Sequence, residues 1–226
     1  MFTLDQFNIA AATATLPTET HATLQAADII EFRMDLAEDP LEEVRAYSGP
    51  HPLIVTNRPD WEGGKCTDTE SDRLDSLTSA SRHSAVRMVD LELETLATTR
   101  GEEAMKRIRS NDVDIIASVH DFEDTPPLSV LEKKLYQAAS HGTVAKLATM
   151  ANTTADGMRL LQATHQASGW GTHIATMAMG AAGKHTRVVA PLYGSKIGYA
   201  PADPTEATAP GQLTIEELDT VLNLVR

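Results

Sequence analysis

The amino-acid sequence predicts a single-domain (β/α)8 barrel, or TIM barrel, that spans residues 1–226. Eight short β-like runs recur along the chain, and helical patterns lie between most of them. Several runs are almost continuously apolar, as strands are when both faces of a parallel sheet are buried. No GxGxxG motif follows the first run, which disfavours an open, doubly wound sheet.

The predicted strands cover residues 7–13, 29–34, 53–57, 86–91, 113–119, 144–149, 173–179 and 187–192. Helix signals separate them. Asp39 before Pro40 marks one helix start, and leucines at helical spacing from Leu128 predict a helix that Gly142 ends. A capping box of Thr214 and Glu217 predicts the last helix.

In a barrel, the functional side chains lie at the C-terminal ends of the strands. The reactive residues of this chain are therefore expected where the apolar runs stop. The stretch 195–208, rich in Pro, Ala and Gly, is predicted to be a loop over that end of the barrel.

The composition excludes several classes of protein. Asp and Glu number 32 against 19 Lys and Arg, the net charge is −13, and no basic stripe suggests a nucleic-acid partner. The mean hydropathy is −0.23, and no apolar run approaches the length of about 18 residues that a membrane helix needs.

The N-terminus lacks the basic and apolar regions of a secretory signal. The single cysteine, Cys66, excludes a disulfide framework. A cytoplasmic protein without a membrane partner is expected.

The excess of acidic residues also indicates the ionic conditions in which the protein works. Only 7 of the 19 cations are lysines, and the acids are spread along the whole chain. Such a surface suits a salt-rich cytoplasm, where ions screen the self-repulsion of the carboxylates. The sequence therefore predicts a salt-adapted organism, with an ordinary acidic cytosolic protein as the alternative.

Two residues on neighbouring predicted strands are candidates for chemistry. Lys146 lies within the apolar run Val-Ala-Lys-Leu-Ala, where an ammonium must be paired or lose its proton, and a neutral amine attacks carbonyl groups. His120 ends the preceding strand, in the position of a general base. The alternatives are a lysine that reaches solvent and a structural histidine. The other seven histidines show no HxxxH or HxH pairing, so no metal site is predicted.

Three arginines, Arg33, Arg58 and Arg187, stand at strand ends or beginnings. Together they imply an anionic, oxygen-rich substrate, because a guanidinium group binds a carboxylate through two hydrogen bonds. Each of them could instead pair with a nearby acid. The glycines of the segment 180–183 could cradle a phosphate or form a tight turn, and Gln212 could reach the barrel mouth or belong to a turn.

With these residues assembled, the sequence resembles the type I 3-dehydroquinate dehydratases over nearly its whole length. Seven segments carry the resemblance, in the right order and at the right spacing. They are Glu31-Phe32-Arg33-Met34-Asp35, Thr56-Asn57-Arg58 with Glu62-Gly63-Gly64, Val89-Asp90-Leu91-Glu92, Ser118-Val119-His120-Asp121-Phe122, Lys146-Leu147-Ala148, Met177-Ala178-Met179-Gly180 with Gly183 and Arg187, and Ala209-Pro210-Gly211-Gln212.

The resemblance implies a (β/α)8 barrel that dehydrates 3-dehydroquinate to 3-dehydroshikimate in the shikimate pathway of aromatic amino-acid biosynthesis. It implies a homodimer that needs no metal or cofactor, since a protonated imine supplies the electron sink. In the roles that it implies, Lys146 forms the imine, His120 moves the proton, Glu62 holds or tunes that histidine, and Arg187 takes the substrate carboxylate. The positions that match ring-hydroxyl contacts are Glu31, Arg33, Arg58 and Gln212.

The sequence departs from the family in two places. The first strand is rich in alanine, with Ala10-Ala11-Ala12-Thr13, so no substrate contact is assigned to it. The second departure is at a site position. Family members often have Ser just before Ala-Pro-Gly-Gln, and this chain has Thr208. The hydroxyl group is kept, so Thr208 is expected to contact the substrate, and its added methyl group narrows the space around the loop.

Two other functions compete with this one. A Schiff-base aldolase of a phosphorylated sugar would use Lys146 and the 180–183 segment, but it leaves the three arginines and His120 less well explained. A non-catalytic, ligand-sensing barrel would keep Arg187 without the chemistry, whereas both Lys146 and His120 are present.

Overall fold

Eight parallel strands form a barrel in the computed structural model, which describes residues 2–17, 24–203, 205 and 211–225. Hydrogen-bonded ladders run in the order β7-β6-β5-β4-β3-β2-β1-β8, and a bridge between Ile174 and Ser195 joins the two ends. The predicted (β/α)8 fold is confirmed. The strands are β1 (Asn8–Thr13), β2 (Ile29–Arg33), β3 (Leu53–Thr56), β4 (Val86–Glu92), β5 (Asp114–Asp121), β6 (Val144–Met150), β7 (His173–Met179) and β8 (Ile197–Pro201).

Helices surround the sheet, and three of them have ends that the sequence signals predict. Pro40 opens the first helix, Gly142 is the C-cap of the helix that begins at Leu128, and Thr214 and Glu217 form the reciprocal capping bonds of the last helix. None of the described helices has the combined length and apolar character that would cross a membrane. The helices are α1 (Pro40–Ala46), α2 (Glu70–Ala80), α3 (Leu93–Leu96), α4 (Thr99–Arg109), α5 (Leu128–His141), α6 (Thr154–Ser168), α7 (Thr186–Val189) and α8 (Ile215–Val225).

The prediction of the eighth strand was wrong. Residues 187–192 form most of α7 and the start of a 3₁₀ turn, and β8 is Ile197–Pro201, inside the stretch predicted as a loop. The Thr186 hydroxyl donates a hydrogen bond to Gly183 O and accepts one from the Ala178 backbone N–H, which fixes the start of α7. Pro191 has no N–H for a strand ladder, and Gly194, at φ 104°, ends the turn.

The weak strand character of β8 has a packing cause. A Cβ atom added at Gly198 would lie 2.5 Å from the Phe7 ring, so glycine is needed where β8 passes this side chain. The strand is held by parallel pairing with β1, from Asn8 opposite Ile197 to Ala12 opposite Pro201. Long-range pairing therefore overrides the low strand propensity of the segment.

Two apolar layers set the direction of each side chain. The larger layer packs between the strands and the helices, and a smaller one fills the barrel interior, with Ile29, Ile54, Ile116 and Val144 among its members. Because successive strand residues point to opposite faces, residues two or four positions after these also point inward. The inward rows thus begin apolar and end polar at the C-terminal mouth.

Candidate active site

The polar ends of the inward rows line a cavity that opens at the C-terminal mouth of the barrel. A concave site that combines apolar walls with a few convergent polar groups suits a small-molecule ligand. Every candidate site residue of the sequence analysis lies on the cavity wall except Thr208, which falls outside the described residues. The wall is formed by Glu31, Arg33, Thr56, Arg58, Glu62, Gly63, His120, Phe122, Lys146, Ala148, Met177, Met179, Arg187, Tyr199 and Gln212.

Lys146 lies at the base of the cavity, in the middle of β6, and is only 4% exposed. Its Nζ atom donates a hydrogen bond to Asp90 Oδ2 over 2.9 Å and lies 3.7 Å from Glu31 Oε1. The Tyr199 ring covers another side, with its centroid 4.1 Å from Nζ. The buried amine is therefore paired, which offsets the cost of taking its charge out of water.

His120 lies on β5, two residues further toward the mouth than Ser118, which pairs with Lys146 in the register of the two strands. Its Nδ1 atom is 2.9 Å from Glu62 Oε1, and the same oxygen accepts the His120 backbone N–H over 2.9 Å. Phe122 stacks on the imidazole with ring centroids 5.9 Å apart. Glu62 and Phe122 thus fix the ring plane and leave Nε2 for a ligand.

A glycine lets Glu62 reach this position. Gly63 has φ 79° and ends the 3₁₀ turn Asp60–Glu62, and a Cβ atom there would lie 2.5 Å from the Phe122 ring. Both the left-handed backbone and the close aromatic contact require glycine.

Burial governs the protonation of this pair. It raises the pKa of Glu62 to about 8, although the nearby Arg58 charge acts in the opposite direction. Burial, together with the charges of Arg58 and Lys146, lowers the pKa of His120 well below its usual value. The imidazole is therefore neutral at physiological pH and is able to accept a proton.

Arg58 ties three strands together under the cavity. Its Nη1 atom donates to Glu92 over 2.6 Å and to Ser118 over 2.8 Å, and its Nη2 atom donates to Asp90 over 2.7 Å. Arg73 on α2 holds the second oxygen of Glu92 at 2.9 Å. The carboxylates keep the pKa of Arg58 above its ordinary value despite burial, and Arg58 is the main cause that lowers the pKa of Asp90.

The remaining arginines hold different positions at the mouth. Arg33 forms a bidentate pair with Asp35, at 2.6 and 2.8 Å. Arg33 and Arg58 thus both pair with acidic side chains, as the alternative interpretation of the sequence predicts. Arg187 is 5% exposed and lies on α7, after β7 instead of at the start of β8. Burial lowers the pKa of Arg187 to about 10, which leaves the guanidinium charged at neutral pH.

Close packing of two loops places Gln212 on the cavity wall. A Cβ atom at Gly211 would lie 2.8 Å from Gly180 O, and both glycines have φ near +80°. The segment 180–183 is itself a tight turn, in which Gly183 N donates to Gly180 O over 3.2 Å.

Sequence reasoning gave no role to four residues that contact Lys146 or Arg58, namely Asp90, Glu92, Ser118 and Tyr199. Asp90 and Glu92 lie in the segment Val89-Asp90-Leu91-Glu92, at alternate positions that point into the barrel. Two carboxylates there, near the buried cations Lys146 and Arg58, are the pattern that could have predicted their roles. Tyr199 was missed because its strand was predicted as a loop. Among the residues that the structure describes, no group of three or more His, Cys, Asp or Glu side chains is placed to hold a metal ion.

Comparison with known proteins identifies the family. The model of the type I 3-dehydroquinase family matches residues 9–226. A 3-dehydroquinate dehydratase from Haloquadratum walsbyi is 53% identical over 97% of this chain and 92% of its own length, and one from Haloarcula marismortui is 44% identical over 96% of both chains. The crystal structure of 3-dehydroquinate dehydratase from Geobacillus kaustophilus superposes with a TM-score of 0.84 at 28% identity, covering 97% of this chain and 91% of that one. The chain therefore belongs to the type I 3-dehydroquinase family.

Proposed function

We propose that this chain is a 3-dehydroquinate dehydratase, a lyase of the shikimate pathway that removes water from 3-dehydroquinate through an imine on Lys146. The observation that carries the proposal is the amine of Lys146 at the base of the cavity with a neutral imidazole, His120, on the adjacent strand. The family membership and the names of the relatives support the same activity.

The first step joins Lys146 to the substrate. The Lys146 ammonium first passes one proton to Asp90, its hydrogen-bond partner, and the nitrogen lone pair then forms a bond to the ketone carbon while a second N–H proton converts the carbonyl oxygen to a hydroxyl group. Asp90 returns its proton to that hydroxyl, which leaves as water. A protonated lysine and a ketone thus give a protonated imine and one water molecule, with no net loss of charge. The cation then draws electron density from the neighbouring carbon and makes its hydrogen acidic.

The second step is the elimination. His120 accepts the proton from the carbon beside the imine, and the electron pair of that C–H bond moves toward the nitrogen as an enamine. The imidazolium returns a proton to the hydroxyl group on the next carbon, which leaves as water while a carbon–carbon double bond forms. Hydrolysis of the imine by another water molecule restores Lys146 and the ketone, so the net product is 3-dehydroshikimate and one water.

The cavity wall binds and orients the substrate in this proposal. Arg187 takes the carboxylate, because its buried guanidinium keeps its charge and offers a planar pair of donors. Glu62 orients His120 through the 2.9 Å contact at Nδ1. The ring hydroxyls contact Glu31, Arg33, Arg58 and Gln212, and Thr208 contributes its hydroxyl.

Borohydride trapping tests the proposal. With 3-dehydroquinate, reduction should add the ligand mass to the peptide that contains Lys146, and Lys146→Ala should lose both the label and the dehydration. Lys106→Ala, at an exposed lysine that pairs with Glu102, is the matched control and should keep both. A label on another lysine, or turnover only with a phosphorylated sugar, would overturn the assignment.

The proposal extends to a homodimer in the cytoplasm, with no nucleic acid or membrane as partner. Exposed aromatic residues support a protein interface: Tyr136 and Trp170 meet edge to face on one side of the barrel, and Tyr193 meets His165 nearby. Light scattering of the purified protein measures the mass, and a monomer of 24.4 kDa at working concentration would contradict the dimer.

A further inference from the structure

The Tyr199 ring is the aromatic contact of the Lys146 amine. It stands on β8, opposite Ala10 of β1 in the strand register, and this small neighbour leaves room for a ring in the barrel interior. The ring centroid is 4.1 Å from Nζ, and the side chain lines the same cavity. A cation at this distance from an aromatic face is attracted by the ring quadrupole, and more strongly when both groups are out of water.

The hydroxyl group of Tyr199 does not explain the position of the ring. It is buried and has no hydrogen-bond partner among the described residues. Burial, with the charges of Glu31 and Asp90 nearby, raises the pKa of Tyr199 well above its usual value, so the ring stays a neutral phenol. A buried hydroxyl without a protein partner adds no stability to the fold. Tyr199 therefore contacts Lys146 through its ring.

We propose that Tyr199 is a positioning residue for the reactive nitrogen: its ring face holds the Lys146 ammonium in the free enzyme and the imine cation after attack. The inference rests on the proposed function and deepens it. Asp90 holds the ammonium through an N–H group, but a protonated imine retains a single N–H. The ring attraction needs no N–H, so it acts on the nitrogen in both states.

The ring stabilises the step in which the Lys146 nitrogen regains its positive charge. The Lys146 ammonium gives one proton to Asp90, and the neutral amine adds to the ketone, so the intermediate carries a neutral nitrogen and a new hydroxyl group. Asp90 returns the proton to that hydroxyl, which leaves as water as the C–O bond breaks, and the nitrogen becomes part of a cationic C=N bond. Because the intermediate is neutral and this transition state is cationic, an aromatic face beside the nitrogen lowers the barrier between them.

Substitution at position 199 separates the ring from the hydroxyl. Tyr199→Phe should keep the rate of imine formation within about twofold and should leave the melting temperature equal or higher, because it removes a buried hydroxyl without a partner. Tyr199→Leu should slow imine formation about 10-fold or more, with KM changed less than kcat. The rate is read by rapid quenching with borohydride and intact-mass analysis.

Fluorinated phenylalanines at position 199 distinguish the electrostatic effect of the ring from the effect of its shape. Phenylalanines with one, two and three ring fluorines at position 199 keep the size of the ring but withdraw its electron density, so the logarithm of the imine-formation rate should fall steadily along the series. The same series at Phe2, which lines a different pocket and lies outside the cavity wall, should leave the rate unchanged. A flat series at position 199, or a Tyr199→Leu variant as fast as wild type, would overturn the proposal. A wild type that neither dehydrates the substrate nor is trapped would overturn both this inference and the proposed function.

Discussion

Replacing Glu62 by Gln tests the electrostatics of the site through stability. Glu62 is 8% exposed, and its Oε1 atom accepts the backbone N–H of His120 and faces Nδ1 of the same residue, both at 2.9 Å. Burial raises its pKa from 4.5 to about 8. The amide of glutamine has nearly the same shape and keeps an oxygen acceptor, but it does not titrate.

The size of the effect follows from the pKa. The unfolded chain loses the Glu62 proton near pH 4.5, whereas the folded chain holds it to about pH 8. Between these values each pH unit favours the unfolded wild type by about 1.4 kcal/mol, so the complete range corresponds to about 5 kcal/mol. Glu62 and His120 titrate as a coupled pair, so part of this change belongs to the histidine. We therefore expect the free energy of unfolding of the wild type to fall by about 3 to 5 kcal/mol relative to Glu62→Gln over this range.

The free energy of unfolding should therefore diverge between the two proteins as the pH rises. Near pH 5 the wild type and Glu62→Gln should be almost equally stable. Above about pH 8 the variant should be more stable by the full difference, while its turnover falls because the amide cannot share a proton with His120. Urea unfolding between about pH 5 and 9 at fixed salt measures the difference.

An exposed glutamate gives the matched control. Glu103 lies on the solvent side of α4, and Glu103→Gln should differ from the wild type by the same small amount at every pH. The reasoning is refuted if the Glu62→Gln difference is also independent of pH, or if the wild type becomes the more stable protein as the pH rises.

Three further predictions concern the reaction and the surface. His120→Ala should still form the imine on Lys146 but lose at least about 100-fold in turnover; near wild-type turnover would exclude the proton transfer. Arg187→Lys should raise KM for the substrate, because the ammonium keeps the charge but lacks the planar pair of donors; an unchanged KM would move the carboxylate contact elsewhere. The net charge of −13 with 7 lysines predicts that the melting temperature rises from about 0.1 to 3 M KCl, because the Debye length falls from about 10 Å at 0.1 M to about 3 Å at 1 M. A flat or falling melting temperature would contradict salt adaptation.

Local patterns in the sequence are enough to predict the barrel and most of its cavity wall. Repeated apolar runs with helix signals between them are local patterns. Because side chains alternate between the two faces of a strand, the sequence also predicts which of them share a face. Lys146 and His120 follow inward-facing apolar residues at even spacing, so their approach at one mouth was predictable from chain order. The capping residues Pro40 and Thr214 are equally local, and the helices begin where these residues predict.

The position of the eighth strand and the partners of the buried charges depend on contacts between distant parts of the chain. The segment around Gly198 has weak strand propensity and becomes β8 through pairing with β1, while the more β-like residues before it form α7 and a turn. Asp90 reaches Lys146 across 56 residues and Arg58 across 32. Distances between groups far apart in sequence depend on the register and closure of the barrel, which no local pattern encodes. For the same reason, the sequence contained Tyr199 but could not place its ring beside the reactive nitrogen.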